Sequence, residues 1–133
     1  MTNDEAKALG LRALAAGFDP SPPSLLAGLR SREGVLWAGP MGGRREEWWP
    51  DLRDAATRGV LLERVREVWG DPRICTVYTA PEEDDNDWSA VLLDYDDDFN
   101  LHGVEHVGIG RTEAEALVCA LEAALEAGQG GEG

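Results

Sequence analysis

Three stretches in the second half of the chain are predicted to be β-strands, and turn-forming segments separate them. They span residues 73–80, 88–95 and 104–109. Residues 73–80 alternate with a period of two, which is typical of a half-buried β-strand. Because short turns join strands that run antiparallel, the pattern predicts a β-meander.

Helices are predicted on both sides of this meander. Thr2-x-x-Glu5 and Thr112-x-x-Glu115 have the form of capping boxes, so helices should begin there. The first helix is expected to run to about residue 18, where a proline-rich loop ends it. The apolar residues of the last helix should face inward: Leu117, Val118, Leu121, Ala124 and Leu125.

Between these two helices the sequence predicts three further elements. Asp54 fits the N-cap and Gly70 the C′ residue of a second long helix. A short helix is expected at residues 25–30 and a first strand at 34–38. The predicted fold class is therefore α+β, an antiparallel β-meander of three to four strands packed by α-helices in a layered sandwich. We expect a single domain over residues 1–127 and a flexible tail at 128–133.

The charge of the chain is divided unequally between its halves. Of 26 acidic and 12 basic residues, ten of each lie in residues 1–70, so the whole net charge of −14 lies in residues 71–133. This acidity argues against a protein that coats DNA or RNA or binds anionic membranes. With an acidic N-terminus, no apolar run long enough for a membrane span, and only Cys75 and Cys119 as cysteines, a cytoplasmic location is expected.

A long irregular segment at residues 39–53 is the strongest candidate for a binding site. The predicted ligand-binding residues are Arg44, Arg45, Trp48, Trp49, Arg53 and Arg58. Arginine holds phosphate with two hydrogen bonds, and indole rings stack on bases at about 1–3 kcal/mol each. The alternative is that Glu46 and Glu47 neutralise the arginines while the tryptophans attach the segment to the core.

Several short motifs match a pattern seen elsewhere. They are Trp49-Pro50-Asp51-Leu52 with Ala56-Thr57, then Trp88 on a strand, then Gly110-x-Thr112-x-Ala114-x-Ala116 with Ala120-Leu121-x-x-Ala124. Over roughly residues 46–127 the chain resembles small uncharacterised phage-encoded proteins of the phage ABA-sandwich type. The resemblance implies a phage or prophage accessory protein in the host cytoplasm, and it supplies no catalytic residue.

Two motifs invite a metal-site interpretation. Asp94, Asp96, Asp98 and Glu105 have the ligand spacing of an EF-hand loop, but Phe99 stands where the loop needs glycine. An acidic turn is the simpler reading, with a weak ion site left open. His102-x-x-Glu105-His106 spells a zinc-hydrolase pattern on a predicted strand, without a third ligand. We therefore expect no metal, no cofactor and no enzymatic activity.

Two functions follow from these observations. The first is a homo-oligomeric anti-defence sponge that sequesters a small anionic nucleotide-like immune signal through the Arg/Trp segment. The second is an acidic mimic of nucleic acid that binds a basic host protein, such as a CRISPR complex, through residues 82–87 and 94–98.

Overall fold

The computed structural model describes residues 2–20, 31, 34–40, 47–78 and 88–127. Its helices and strands are α1 (Asn3–Ala15), β1 (Trp37–Ala38), β2 (Trp49–Pro50), α2 (Ala55–Trp69), β3 (Ile74–Tyr78), β4 (Trp88–Tyr95), β5 (Leu101–Gly110) and α3 (Glu113–Glu126). Strands β3, β4 and β5 form an antiparallel meander in that order, and β1 pairs with β2. The predicted α+β class is thereby confirmed, while the short helix at 25–30 and the tail at 128–133 lie outside the described residues.

The helix caps lie where the sequence predicts them. The Thr2 capping box is complete, and Asp54 accepts a hydrogen bond from the Thr57 backbone N–H. Gly70 ends α2 with φ of 68°. The first helix stops at Ala15, earlier than predicted, because Gly17 adopts φ of 104° and reverses the chain.

The strands follow the prediction in the meander and depart from it elsewhere. β4 has the predicted bounds, whereas β5 begins at Leu101 and so extends into the segment predicted as a turn. Trp49 and Pro50 were predicted as irregular, yet they form β2, in which Trp49 pairs with Ala38. This pairing is non-local, which explains why no pattern in residues 39–53 indicates it.

Helix α3 lies directly against β5 because two glycines of that strand leave room for it. A Cβ atom at Gly108 would stand 2.5 Å from the backbone nitrogen of Ala120, and one at Gly110 would stand 2.7 Å from Cβ of Glu115. A larger residue at either position would force the helix and the strand to move apart. The glycines therefore set how closely helix and sheet approach.

Helix α3 is covered by other elements on two sides. Its alanines Ala114, Ala116, Ala120 and Ala124 are all buried, with the sheet on one side and α1 and α2 on the other. The prediction that Leu125 faces inward is wrong, because 49% of its surface is exposed. Among the described helices, none combines the length and apolar composition needed to cross a bilayer.

The contact between α3 and β5 can be tested with a pair of glycine substitutions. We expect Gly108→Ala to lower the free energy of unfolding by about 1–3 kcal/mol, because the added methyl group overlaps helix backbone. Gly59→Ala, in the middle of α2 with no atom within 4 Å of the new Cβ, should instead raise it by about 0.5–1 kcal/mol. Urea unfolding followed by tryptophan fluorescence measures both. Equal effects of the two substitutions would contradict the close packing.

Candidate functional site

The two tryptophans of the predicted binding segment lie against the protein interior. Trp49 is 4% exposed, and Gly10 of α1 approaches it so closely that a Cβ there would lie 3.3 Å from the indole ring. Trp48 is half-buried and packs against the core. Trp49 cannot stack on a base without leaving the core. Its position fits the alternative interpretation, in which the tryptophans attach residues 39–53 to the core.

Arg53 is bound by a neighbouring carboxylate. Its Nε and Nη2 atoms each donate to an oxygen of Asp51 at 2.9 Å, and Nη2 also reaches Oδ1 of Asn3 at 3.2 Å. The paired guanidinium lowers the pKa of the Asp51 carboxyl below its ordinary value. Asp51 is itself largely buried, so this pair fixes the chain between β2 and α2.

Arg58 joins three parts of the structure. Its Nε donates to Oε1 of Glu113 at 3.0 Å, and its Nη1 donates to the carbonyl oxygens of Leu52 and Arg53 at 3.2 and 2.7 Å. Glu113 also accepts a hydrogen bond from the Thr76 hydroxyl at 2.5 Å. The first turns of α2 and α3 and strand β3 therefore meet at one carboxylate.

These contacts account for four of the six predicted ligand-binding residues. Trp48 and Trp49 pack inward, while Arg53 and Arg58 are engaged by acidic side chains and carbonyls. Arg44 and Arg45 lie outside the described residues, so their binding role stays a prediction. The four described residues are thus engaged within the protein and do not together form an open anion site.

The turn between β4 and β5 is organised by a single carboxylate. Asp96 accepts hydrogen bonds from the backbone N–H groups of Asp98 and Asn100, both at 2.9 Å. His102 Nε2 lies 2.7 Å from its other oxygen. The hydrogen bond from the Asn100 N–H, followed by that to His102, holds the pKa of Asp96 below its ordinary value.

The same turn carries an exposed aromatic ring among its carboxylates. Phe99 is 85% exposed and adopts φ of 63°, a conformation that costs a non-glycine residue about 1–2 kcal/mol. Asp94, Asp97 and Asp98 are exposed beside it. We call residues 94–99 the acidic tip. Asp96 serves the fold of the acidic tip, whereas Asp97 and Asp98 point their charge to solvent.

The residues with EF-hand spacing are not arranged as that loop requires. Glu105, the expected closing ligand, lies on β5 opposite Leu92, away from the turn that Asp96 organises. Within the described ranges, no group of three or more His, Cys, Asp and Glu residues could hold a metal ion. His102 instead contacts Asp96, while His106 pairs across the sheet with Val91.

Cys119 is the cysteine whose surroundings bear on its reactivity. Both cysteines of the chain are partly buried free thiols. Burial raises the pKa of the Cys119 thiol, although the Arg12 guanidinium 3.7 Å from its sulfur acts in the opposite direction. A raised pKa leaves less thiolate at neutral pH, so Cys119 is a weak nucleophile.

Two clefts lined by described residues lie beside the helices, and each contains charges of both signs. One of about 610 Å³ lies between the end of α1 and α2, and one of about 430 Å³ lies between α1 and the start of α3. Arginines and carboxylates line both: Arg64 with Asp19, Glu63 and Glu67 in the first, Arg12 and Arg111 with Glu5 and Glu115 in the second. Neither has the excess of positive charge that an anionic ligand needs.

Sequence reasoning missed the combination of the acidic tip with an apolar strand beside it. The signal was present in Leu101, Val104 and Ile109, but two register shifts between β4 and β5 break their alternation.

The chain matches no protein-family model, no curated protein and no solved structure.

The Arg58 contacts predict a structural role that a conservative substitution reveals. Lysine keeps the charge but cannot reach Glu113 and two carbonyls together, so Arg58→Lys should lower the free energy of unfolding by about 1–3 kcal/mol. Arg73→Lys is the matched control, because Arg73 forms an exposed pair with Asp71 and should change stability little. Urea unfolding compares the two. An Arg58→Lys variant of full stability that lost binding to a small anion would reverse this assignment.

Proposed function

We propose that this protein is a non-enzymatic binding protein whose acidic tip docks on a basic surface of another protein. The observation that carries the proposal is the exposure of Phe99 at 85% among exposed aspartates on one ordered turn. Apolar rings are normally withdrawn from water, whereas carboxylates attract basic partners. The Phe99 ring supplies an apolar contact for the partner, and the aspartates beside it supply the negative charge that favours a basic one.

The charge distribution supports the same function. Those arginines of residues 1–70 that the structure describes are engaged within the protein, as Arg53 and Arg58 illustrate. Asp97 and Asp98 lie in the half that has sixteen acids against two bases. Steering by such a field raises association rates with basic proteins and is screened by salt. In a phage, this activity would block the nucleic-acid-binding surface of a defence effector such as a CRISPR complex.

Neutralising the acidic tip tests the proposal. The Asp97→Asn/Asp98→Asn double variant should lose retention of basic proteins from a bacterial extract, and wild-type retention should fall between about 0.1 and about 1 M salt. The Glu67→Gln/Glu126→Gln variant is the matched control, because it removes the same charge from exposed positions on α2 and α3. Asp96 is left intact because it organises the turn. Equal retention by both variants, measured by mass spectrometry of the eluates, would refute docking through the tip.

The other predicted function, a sponge for a nucleotide-like immune signal, now depends on Arg44 and Arg45. We expect such a ligand to raise the melting temperature of the wild type and to leave an Arg44→Ala/Arg45→Ala variant unchanged, since only bound ligand stabilises. A panel of linear and cyclic nucleotides in a thermal-shift assay measures this. Absence of a shift across the panel would dismiss the sponge, and native mass spectrometry would report the predicted homo-oligomer.

A further inference from the structure

The turn of the acidic tip is held by hydrogen bonds that converge on Asp96. Its carboxylate accepts hydrogen bonds from the backbone N–H groups of Asp98 and Asn100, both at 2.9 Å. Its own backbone N–H donates to the carbonyl oxygen of Asn100, and its carbonyl oxygen accepts from the N–H of Phe99, both at 3.0 Å. These partners lie within four residues of Asp96, so they close the turn upon itself.

His102 is the contact that ties this turn to strand β5. Its Nε2 lies 2.7 Å from Oδ2 of Asp96, six residues back along the chain. The register with β4 passes from Gly103 directly to Leu101, so no residue of β4 stands opposite His102. An extra residue in one strand of an antiparallel pair redirects its side chain. The imidazole is thereby placed on the turn and not in a cross-strand pair.

The turn depends on these contacts because Phe99 adopts a strained backbone conformation. Its φ of 63° lies in the left-handed region, and its side chain is 85% exposed, so packing of the ring does not offset the strain. Residues in such conformations persist only where the surrounding contacts hold them. The hydrogen bonds of Asp96 hold Phe99 in this way, so a change in the contacts of Asp96 should alter how firmly the turn is ordered.

Protonation changes the strength of the contact between His102 and Asp96. A neutral imidazole with its hydrogen on Nε2 donates one hydrogen bond to the carboxylate. After protonation the same two groups form an ion pair, and hydrogen bonds between charged groups are stronger. Histidine is the side chain that gains its charge between about pH 8 and about pH 5. Asp96 stays ionised over that range, because hydrogen bonds from the Asn100 N–H and then from His102 hold its pKa below its ordinary value.

The other titratable side chains around this pair come from both strands, the turn and the segment before β3. Arg73 precedes β3 and lies 3.8 Å from Asp94 of β4, and its guanidinium also donates two hydrogen bonds to Asp71. The remaining groups are Asp94, Tyr95, Asp97, Asp98 and Glu105. These groups act on His102 through a general field that is present in the ordered and in the opened turn alike. The contact with Asp96 belongs to the ordered turn, so it is the contact that couples order to pH.

We propose that His102 makes the acidic tip a pH-responsive turn, which is held more firmly when the imidazole is protonated. The added stabilisation is present at the acidic end of the histidine range and is lost as the pH rises toward about 8. Its significance for docking rests on the proposed function, because the same turn carries Phe99 and the exposed aspartates that a partner would contact. The device itself operates in the free chain, before any partner binds.

Hydrogen exchange measured by NMR on the full chain tests the proposal. The readout is the protection of the Asn100 N–H, which donates to Asp96, corrected for the intrinsic pH dependence of exchange. We expect protection to be about two- to fivefold higher at about pH 5.5 than at about pH 8, the range typical of exposed ion pairs. His102→Gln keeps a donor that cannot become charged, so its protection should be equal at the two pH values. His106→Gln is the matched control, because His106 pairs with Val91 of β4 and its replacement should keep the wild-type response.

The outcomes distinguish this inference from the function on which its significance rests. A pH response that His102→Gln retains, or that His106→Gln removes, overturns the role of His102. Equal protection of the wild type at both pH values overturns it as well, even where Asp97→Asn/Asp98→Asn loses retention of basic proteins. A response that His102→Gln alone abolishes, in a chain whose retention ignores the Asp97→Asn/Asp98→Asn change, refutes the proposed function and leaves the pH-responsive turn standing.

Discussion

The approach of α3 to β5 is the contact on which the rest of the structure depends. Glycine at 108 and 110 brings the helix backbone within reach of the strand, and small residues on α3 keep that approach possible on its other sides. With the sheet on one side and α1 and α2 on the other, α3 is the shared layer of the fold. Because α1 and α2 both pack on it, α3 connects the sheet to the other helices.

Local signals predicted the parts of the fold that local interactions determine. The boundaries at Thr2, Asp54 and Thr112 follow from side chains that bind N–H groups three residues away, so sequence spacing reveals them. The β1–β2 pairing and the exposure of Leu125 are not determined locally. β1 and β2 pair across the irregular segment that separates them, and the exposure of Leu125 depends on which elements pack against α3. The residues within one strand or helix do not encode which other element will lie opposite.

The candidate site shows the same division between local and non-local information. Arg58 lies in the first turn of α2, and the sequence predicts that it binds an anionic ligand. In the structure its side chain binds the carboxylate of Glu113, 55 residues along the chain. The sequence alone does not distinguish a partner within the chain from a ligand.

Whether a charged side chain already has a partner within the protein decides whether it is available for binding. The guanidinium of Arg58 binds a carboxylate and backbone carbonyls, so it contributes little electrostatic field outside the protein. Asp97 and Asp98 are exposed, so their field extends into solvent. The net charge of −14 arises wholly in residues 71–133. Within the described part of that half, Asp97 and Asp98 are exposed on the turn between β4 and β5, so their charge is directed to solvent and not to an arginine of the same chain.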